Sequence, residues 1–492
     1  MSYEEKKPGE DVDTLVKVSE SGDIPADHIP ISEKKLLRKL DRHVLPPLIV
    51  LYLMSFLDRS NIGNAVIFGL TADIGLVGTQ FNTALAIFYA CYIIIEPPSN
   101  MILKRSRASV YLTILMVLTG TMGLSMGFVK NFSQLTAVRA LLGLAEGGFW
   151  PGITFIVTQW YPRREAGYRT CLLFAAAGAS GAFGGLLARA LEKMNGLGGL
   201  EGWRWIFIIE GLITILITAA MYFFIADCPE SAKFLTEEER GAVVCRLSED
   251  NQLMPTDFRW RYVRDTLLSP LTYLQGLVQF GSYIGVLSFT TFAPSIVKGM
   301  GYTAGTAQLL TVPPYVLGCM STIVIGYLSD KRGVRYPFLA GCLLTSFAGF
   351  MILRFVTSVP AQYVACCLVC IGALPLIPLE VTWNGNNQGG ELKRALAIAI
   401  QVGGSNSSGF VASFAYLAKD APRYQRGHAI GAGFNAMALS VATLIAAYMV
   451  YQNRRRDRLY GKPEDIIASM SETDIEQEKQ RGDQAKWFRY TL

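Results

Sequence analysis

Four ionisable residues stand inside long apolar stretches of this chain: Asp58 and Arg59 in one, Arg139 and Glu146 in another. Two carboxylates and two guanidiniums offer proton exchange and anion binding. A carboxyl group takes up and releases a proton, and a guanidinium grips a carboxylate bidentately. Arg139 and Glu146 are seven residues apart, two helical turns, so they share a helix face. Asp58 and Arg59 are adjacent and point about 100° apart. One can address a neighbouring helix while the other faces a cavity. Neutral polar groups recur in comparable surroundings: Gln279 sits mid-stretch, Asn406 lies in a Gly/Ser-rich run, and Trp383, Asn386 and Asn387 close another. Each such amide serves equally well as glue between helices, worth about 0.6 kcal/mol, or as a ligand contact.

Composition sets the elements that must hold these residues. The chain has 492 residues, of which 51% are hydrophobic. A membrane-crossing helix takes roughly 20 apolar residues, so the stock suffices for about twelve. Mean hydropathy is +0.31 and charged residues are 17%, against about 25% in soluble proteins. A disordered chain and a secreted disulfide scaffold are excluded, and a row of soluble domains is disfavoured. Apolar stretches fall at 44–67, 79–103, 108–129, 132–158, 168–191 and 204–226, then at 267–294, 306–329, 336–356, 360–382, 394–417 and 428–451. The reading is an all-α membrane protein: a six-helix bundle over 44–226, a linker over 227–266 and a second six-helix bundle over 267–451. Short tails, 1–43 and 452–492, flank them. The stretch Ile31–Arg42 is expected to lie on the membrane surface as a short basic amphipathic helix. One set of short loops carries the excess Lys and Arg (104–107, 163–169, 331–335, 393–394), which puts both tails and the linker in the cytosol. Asn131 opens a glycosylation sequon on the opposite side.

Each ionisable residue costs roughly 2.5–3.5 kcal/mol at the bilayer centre, so four facing lipid would cost about 10–14 kcal/mol. They must face the interior, water or one another. A salt-bridge network that only pins helices is the competing explanation. Buried ion pairs stabilise poorly compared with apolar packing, so that explanation accounts badly for four such residues in one half. Glu96, Glu210 and Glu380 are placed nearer span ends, in helix-end and loop-anchoring roles. The net charge of +6 is small and spread over loops, which gives no reason to expect a nucleic-acid partner. His28, His43 and His428 are too few for a His-rich metal site. Cys366, Cys367 and Cys370 lie in an apolar run and read as packing residues, so no metal or cofactor is expected. No nucleophile–base pair or phosphate loop is present, and the Gly-rich run 178–185 reads as helix packing, so an enzyme is not expected.

One turn is more specific than its charge requires. Gly326-Tyr-Leu-Ser-Asp330-Lys331-Arg332-Gly333-Val334-Arg335 has the spacing G-x-x-x-D-K-x-G-x-R and joins the second and third spans of the second half. It marks Asp330, Lys331 and Arg335 as candidates for conformational gating. The corresponding stretch of the first half, Glu96 to Arg105, is diverged.

Further segments complete a pattern. They are Leu57-Asp58-Arg59-Ser60-Asn61-Ile62-Gly63-Asn64-Ala65, Arg139 to Gly152, Trp160-Tyr161-Pro162-Arg163, Gly202-Trp203-Arg204-Trp205, Phe234 to Arg240, and Asp420-Ala421-Pro422-Arg423-Tyr424. With Trp383, Asn386, Asn387, Gly390, Lys393 and Arg394 they resemble the major facilitator superfamily. Within it they are similar to the anion:cation symporter family, in its fungal allantoate permease-like group. The resemblance runs from about residue 40 to 451. It implies twelve transmembrane helices in two pseudo-symmetric bundles. It also implies carriage of small organic anions, such as nicotinate, biotin, pantothenate, allantoate or sugar acids, often with protons. By the same resemblance Asp58 and Glu146 are proton-coupling residues, with Arg139 as their charge partner, and Arg59 contacts the substrate carboxylate. Gln279, fifteen residues before Pro294, and Asn406, three before Gly409, match the family's substrate-contacting amides.

The expected protein is a monomeric secondary transporter in the lipid bilayer. It takes up a small carboxylate, nicotinate- or vitamin-like, by proton symport across the plasma membrane. The competing readings are a vacuolar location, an exporter of a secondary metabolite, and a nutrient sensor of transporter fold, for which a long structured tail would be the signal.

Overall fold

The structure is a computed structural model that describes residues 33–103, 105–251 and 259–492. His28, the first residues of the Ile31–Arg42 stretch and Lys104 lie outside the described residues. Twelve helical elements account for the apolar stretches. They are α1 (Glu33–Ile67), α2 (Gln80–Leu103), α3 (Ala108–Met126), α4 (Phe132–Trp160), α5 (Arg163–Leu191) and α6 (Gly202–Met221), then α7 (Pro270–Gly299), α8 (Ala304–Arg332), α9 (Tyr336–Phe355), α10 (Val359–Asn386), α11 and α12 (Gln425–Tyr460). Eleven helices among the described residues are long and apolar enough to cross a membrane singly. The exception is α11, which is built from Glu391–Asn406 and Ser408–Ala415 and breaks at Ser407.

Large apolar side chains cover the outside of the bundle: Leu216, Phe223, Leu344 and Leu444 are each more than half exposed. The interior instead buries Asp58, Arg139, Glu146, Glu210 and Glu380. This inversion of the soluble pattern is what a lipid solvent requires, because hydrocarbon cannot satisfy polar groups.

Two further breaks fall at corresponding places in the two halves. In α4 the pair Gly147-Gly148 divides Phe132–Glu146 from Phe149–Trp160. In α10 the break at Leu374-Pro375 divides Val359–Ala373 from Leu376–Asn386. Glycine pairs and proline interrupt the hydrogen-bond ladder, and matched interruptions in two repeats mark the binding region of such bundles.

The halves meet tightly on the face away from the basic loops. A Cβ on Gly63 of α1 would sit 2.1 Å from the Thr291 carbonyl oxygen of α7, so only glycine admits this approach. Asn82 of α2 donates to the Ser413 and Tyr416 carbonyls at 2.6 and 3.3 Å. On the basic-loop face, a cavity of about 320 Å³ enters between α2, α4 and α5 of one half and α10 and α11 of the other. The arrangement is open toward the basic loops.

Two peripheral expectations change. The basic helix of the N-terminal segment does not lie free on a membrane surface. It is the first part of α1, and Leu36 and Leu40 are buried against protein. The linker helix Glu237–Asn251 is tied to it by the Lys39–Glu239 ion pair at 2.5 Å, and the segment before that helix by stacking of His43 on Phe234. The residues from 452 onward are not a simple tail either. After α12, the helices Pro463–Ala468 and Glu472–Lys479 lead to Trp487 and Phe488, which are buried. The chain end then docks on the second half. Trp383 Nε1 and Asn387 Nδ2 donate to the Thr491 carbonyl at 3.0 and 2.9 Å, and Lys393 pairs with Asp483 at 2.6 Å. The Arg335 amide donates to the Leu492 carbonyl.

Candidate substrate and coupling site

The breaks in α4 and α10 bring their ends to the middle of the bundle, and a cavity of about 20 Å³ lies there, room for about one water molecule. Arg59, Glu146, Gln279 and Asn406 all line it. These four come from α1, α4, α7 and α11, so both halves contribute. Most of the remaining wall is aromatic, Tyr52, Phe56, Tyr92, Trp150, Phe174 and Tyr283 among it, with Ser55, Ile377, Val402 and Ser405 filling the rest. Trp150 and Val402 also line the 320 Å³ cavity, so the central site adjoins the opening on the basic-loop face.

At the centre Arg59 Nε and Nη2 donate to Glu146 Oε2 at 3.0 and 2.6 Å. The Glu146 side chain is fully buried and the Arg59 side chain is 13% exposed. The other Glu146 oxygen, Oε1, has no hydrogen-bond partner in the protein. Phe56, Phe88 and Tyr92 surround the guanidinium with ring centroids 5.1–5.3 Å away. Weak hydration lets a guanidinium sit among aromatic faces where an ammonium would not. Gln279 Oε1 is likewise unpaired. Asn406 Nδ2 donates to Glu96 Oε2 at 3.1 Å, joining α11 to α2 across the halves.

Asp58 and Arg139 do not line this cavity. Asp58 points the other way from α1, toward Gly123 of α3 and Thr214 of α6. Arg139 lies behind Phe88, 5.7 Å from its ring centroid, and its Nε has no partner. Among the described residues it makes no ion pair with a carboxylate, so the four charges do not form one cluster. The physical reason is the helix period: consecutive residues on α1 diverge by about 100°, and the aromatic ring of Phe88 separates the two guanidiniums of α1 and α4.

Glu96, Glu210 and Glu380 are not helix-end anchors. All three are buried; Glu96 bonds Asn406, Glu380 Oε2 accepts from Ser282 at 2.9 Å, and both oxygens of Glu210 are unpaired. Glu210 stands eight residues into α6, about 12 Å along the axis at 1.5 Å per residue. That depth, rather than its distance from the last apolar residue, is the signal that would have found it.

At the basic-loop face, Asp330 pairs with Arg335 and accepts from the Tyr168 amide of α5 at 2.6 Å. The turn of the second half is thereby fastened to the first half. Gly333 ends α8 at φ 66°, the left-handed conformation that glycine adopts without strain. Lys331 is exposed.

The model of the Major Facilitator Superfamily matches residues 48–447. The chain belongs to that family. It is 36% identical over 436 residues to an uncharacterized transporter of Schizosaccharomyces pombe, covering 88% of this chain and 87% of that one. It is 32% identical over 426 residues to the high-affinity nicotinic acid transporter of Saccharomyces cerevisiae, covering 86% of this chain and 79% of that one. Among solved structures, the xylose transporter XylE from E. coli in a partially occluded inward-open conformation superposes with a TM-score of 0.63 at 13% identity, covering 81% of this chain and 96% of that one. At that identity the likeness is one of fold. The protein is a multi-pass membrane transporter of the major facilitator fold.

Proposed function

We propose that the protein carries a small organic monocarboxylate, aromatic and nicotinate-like, into the cell by proton symport. The observation that carries this reading is the Arg59–Glu146 pair, closed in an aromatic cavity between the halves. Through its Oε2, Glu146 occupies the Nε/Nη2 edge of Arg59 that a substrate carboxylate would take. For the substrate to replace it, Glu146 has to give up its charge-assisted bonds, and a proton from the bulk neutralises it as it leaves. The cavity then holds Arg59 with the substrate anion and a neutral Glu146. Its net charge is the same before and after loading, so crossing the bilayer with cargo adds no electrostatic cost. Each ligand promotes the other, and the coupling is reciprocal.

The aromatic wall suits a flat ring, while Gln279 and Asn406 supply hydrogen bonds from the second half. Breaking the Asn406–Glu96 and Asp330–Tyr168 contacts accompanies the rocking of the halves. The basic-loop face is the cytosolic one on this reading. The 32% identity to the nicotinic acid transporter of yeast supports the substrate class. The test is uptake of labelled nicotinate, with a panel of other monocarboxylates, in cells expressing the protein at acidic and neutral outside pH. Acid-stimulated uptake that a protonophore collapses is expected. Verified surface expression with no uptake of any acid at either pH would overturn the reading.

A further inference from the structure

The helices α2 and α11 touch across the two halves, and their contact changes character along the bundle. Away from the basic loops it is fixed. Asn82 donates to the Ser413 and Tyr416 carbonyls, and a Cβ on Gly409 would stand 2.3 Å from the Tyr89 ring. Nearer the basic loops, Asn406 Nδ2 donates to Glu96 Oε2 at 3.1 Å, and both residues are buried. The two partners face different spaces: Asn406 lines the central cavity, and Glu96 lines the 320 Å³ cavity. Beyond this bond Asn100 and Leu103 of α2 stand with Leu396, Ile398 and Ala399 of α11 in the wall of the larger cavity.

Both helices are weakened at this level. Pro97 and Pro98 follow Glu96 inside α2. They have no N–H to give, so the carbonyls of Ile93 and Ile94 lose their partners in the helix ladder. In α11, Gly403 and Gly404 come just before Asn406, and the helix breaks at Ser407. A Cβ on either glycine would meet nothing within 4 Å, so no close approach calls for them. What a glycine pair adds there is backbone freedom. We propose that segments 97–103 of α2 and 391–402 of α11 are the two leaves of an inner gate, hinged at Pro97-Pro98 and Gly403-Gly404, and that the Glu96–Asn406 bond is its latch. The Asn406 amide has two clients. Cargo that engages it from the central cavity draws it off Glu96, and the leaves then swing apart toward the basic-loop face. Glu96 is a positioning residue, because it acts on cargo only through Asn406. Its part is to accept a hydrogen bond, so a neutral acceptor serves as well as a carboxylate. The latch and the hinges stand on the geometry alone; their release by cargo rests on the reading of Asn406 as a substrate contact.

The test is hydrogen–deuterium exchange of the full-length protein in lipid nanodiscs, first without cargo. E96L removes the acceptor, and the amides of both leaves should exchange roughly ten-fold faster, the weight of a hydrogen bond to a charged group. E96Q keeps an acceptor oxygen and should match wild type. G403A/G404A stiffens the hinge where added Cβ atoms have room. Exchange over 403–407 should then slow roughly five-fold, and the melting temperature should not fall. Leaves that exchange alike in wild type and E96L overturn the latch. E96Q behaving as E96L also overturns it and gives Glu96 a role for its charge instead. Unchanged exchange in G403A/G404A overturns the hinge, and this variant carries the test if E96L does not fold. Nicotinate is then the probe of release. It should bring the wild-type leaves to the E96L rate, and G403A/G404A should carry it more slowly with KM unchanged. Nicotinate carried without quickening the leaves overturns release by cargo. Absence of anion uptake removes release by cargo together with the carboxylate reading, while the latch and the hinges stand or fall on the exchange without cargo.

Discussion

The two six-helix halves bury polar groups of different kinds. The first half holds Asp58, Arg59, Arg139, Glu146 and Glu210, and its one close interior ion pair among these is Arg59–Glu146. The second half offers the cavity Gln279 and Asn406, and behind them an amide network in which Asn384 Nδ2 donates to Gln401 Oε1 at 2.7 Å and Gln388 Nε2 to Asn384 Oδ1 at 2.8 Å. Its buried carboxylate, Glu380, answers a serine hydroxyl. On the proposed reading, charge is exchanged in one half, and the other half supplies neutral recognition and a moving wall. A neutral wall can rock against a charged one without dragging ions through low dielectric. The second half is also braced from the basic-loop face by the chain end, which pairs Trp383 and Asn387 with Thr491.

The largest expected effect is at Arg59. Arg59→Ala removes the bidentate donor and leaves Glu146 buried and unpaired, a loss of about 2–5 kcal/mol, so nicotinate affinity should fall about 30-fold or more. Glu146→Gln comes next: exchange of labelled for unlabelled substrate survives, while accumulation and its acid stimulation are lost. Removing residues 482–492 tests the brace. It leaves the Trp383 indole N–H without its acceptor, and a buried unpaired group costs about 1–3 kcal/mol, so the melting temperature of the purified protein should drop by several degrees. Gln279→Ala, on the neutral side, removes at most an uncharged hydrogen bond of about 1 kcal/mol, and affinity should fall only about five-fold. An effect as large as that of Arg59→Ala would erase the contrast between the halves.

The smallest effect is at the periphery. The hydrogen bond from Lys39 holds the Glu239 carboxyl below its ordinary range. A depressed value means the contact stabilises above the unfolded-state value, near 4.5, and is lost as pH falls through the folded one. Exposed pairs contribute about 0–1 kcal/mol, so Glu239→Gln should barely move the melting temperature at pH 7 and should make no difference in strong acid.

The sequence carried most of this architecture. Apolar length alone yields twelve elements, but not the breaks inside α4, α10 and α11, the last at Ser407 just after Asn406. Arg59, Glu146, Gln279 and Asn406 could be named before the fold, since a charge or amide in an apolar run is conspicuous. What stayed hidden was direction. Helix phase separates Asp58 from Arg59, but which of them faces the cavity depends on how α1 packs. Depth hid Glu210, whose distance from the span start looked peripheral. The aromatic wall was invisible because Phe and Tyr occur throughout the chain. The docking of Thr491 and Leu492 had no local signal at all, since it depends on a polar segment finding Trp383, Asn387 and Arg335 across the bundle.

The central claim is that a substrate carboxylate displaces Glu146 from Arg59 while a proton is taken up. The most direct test reconstitutes the purified protein in liposomes and follows labelled nicotinate and internal pH together, without an imposed proton gradient. An inward nicotinate gradient should acidify the lumen in step with uptake. Glu146→Gln should abolish the acidification while leaving exchange intact. Nicotinate entering wild-type vesicles with no accompanying proton, or acidification that persists in Glu146→Gln, would contradict the account.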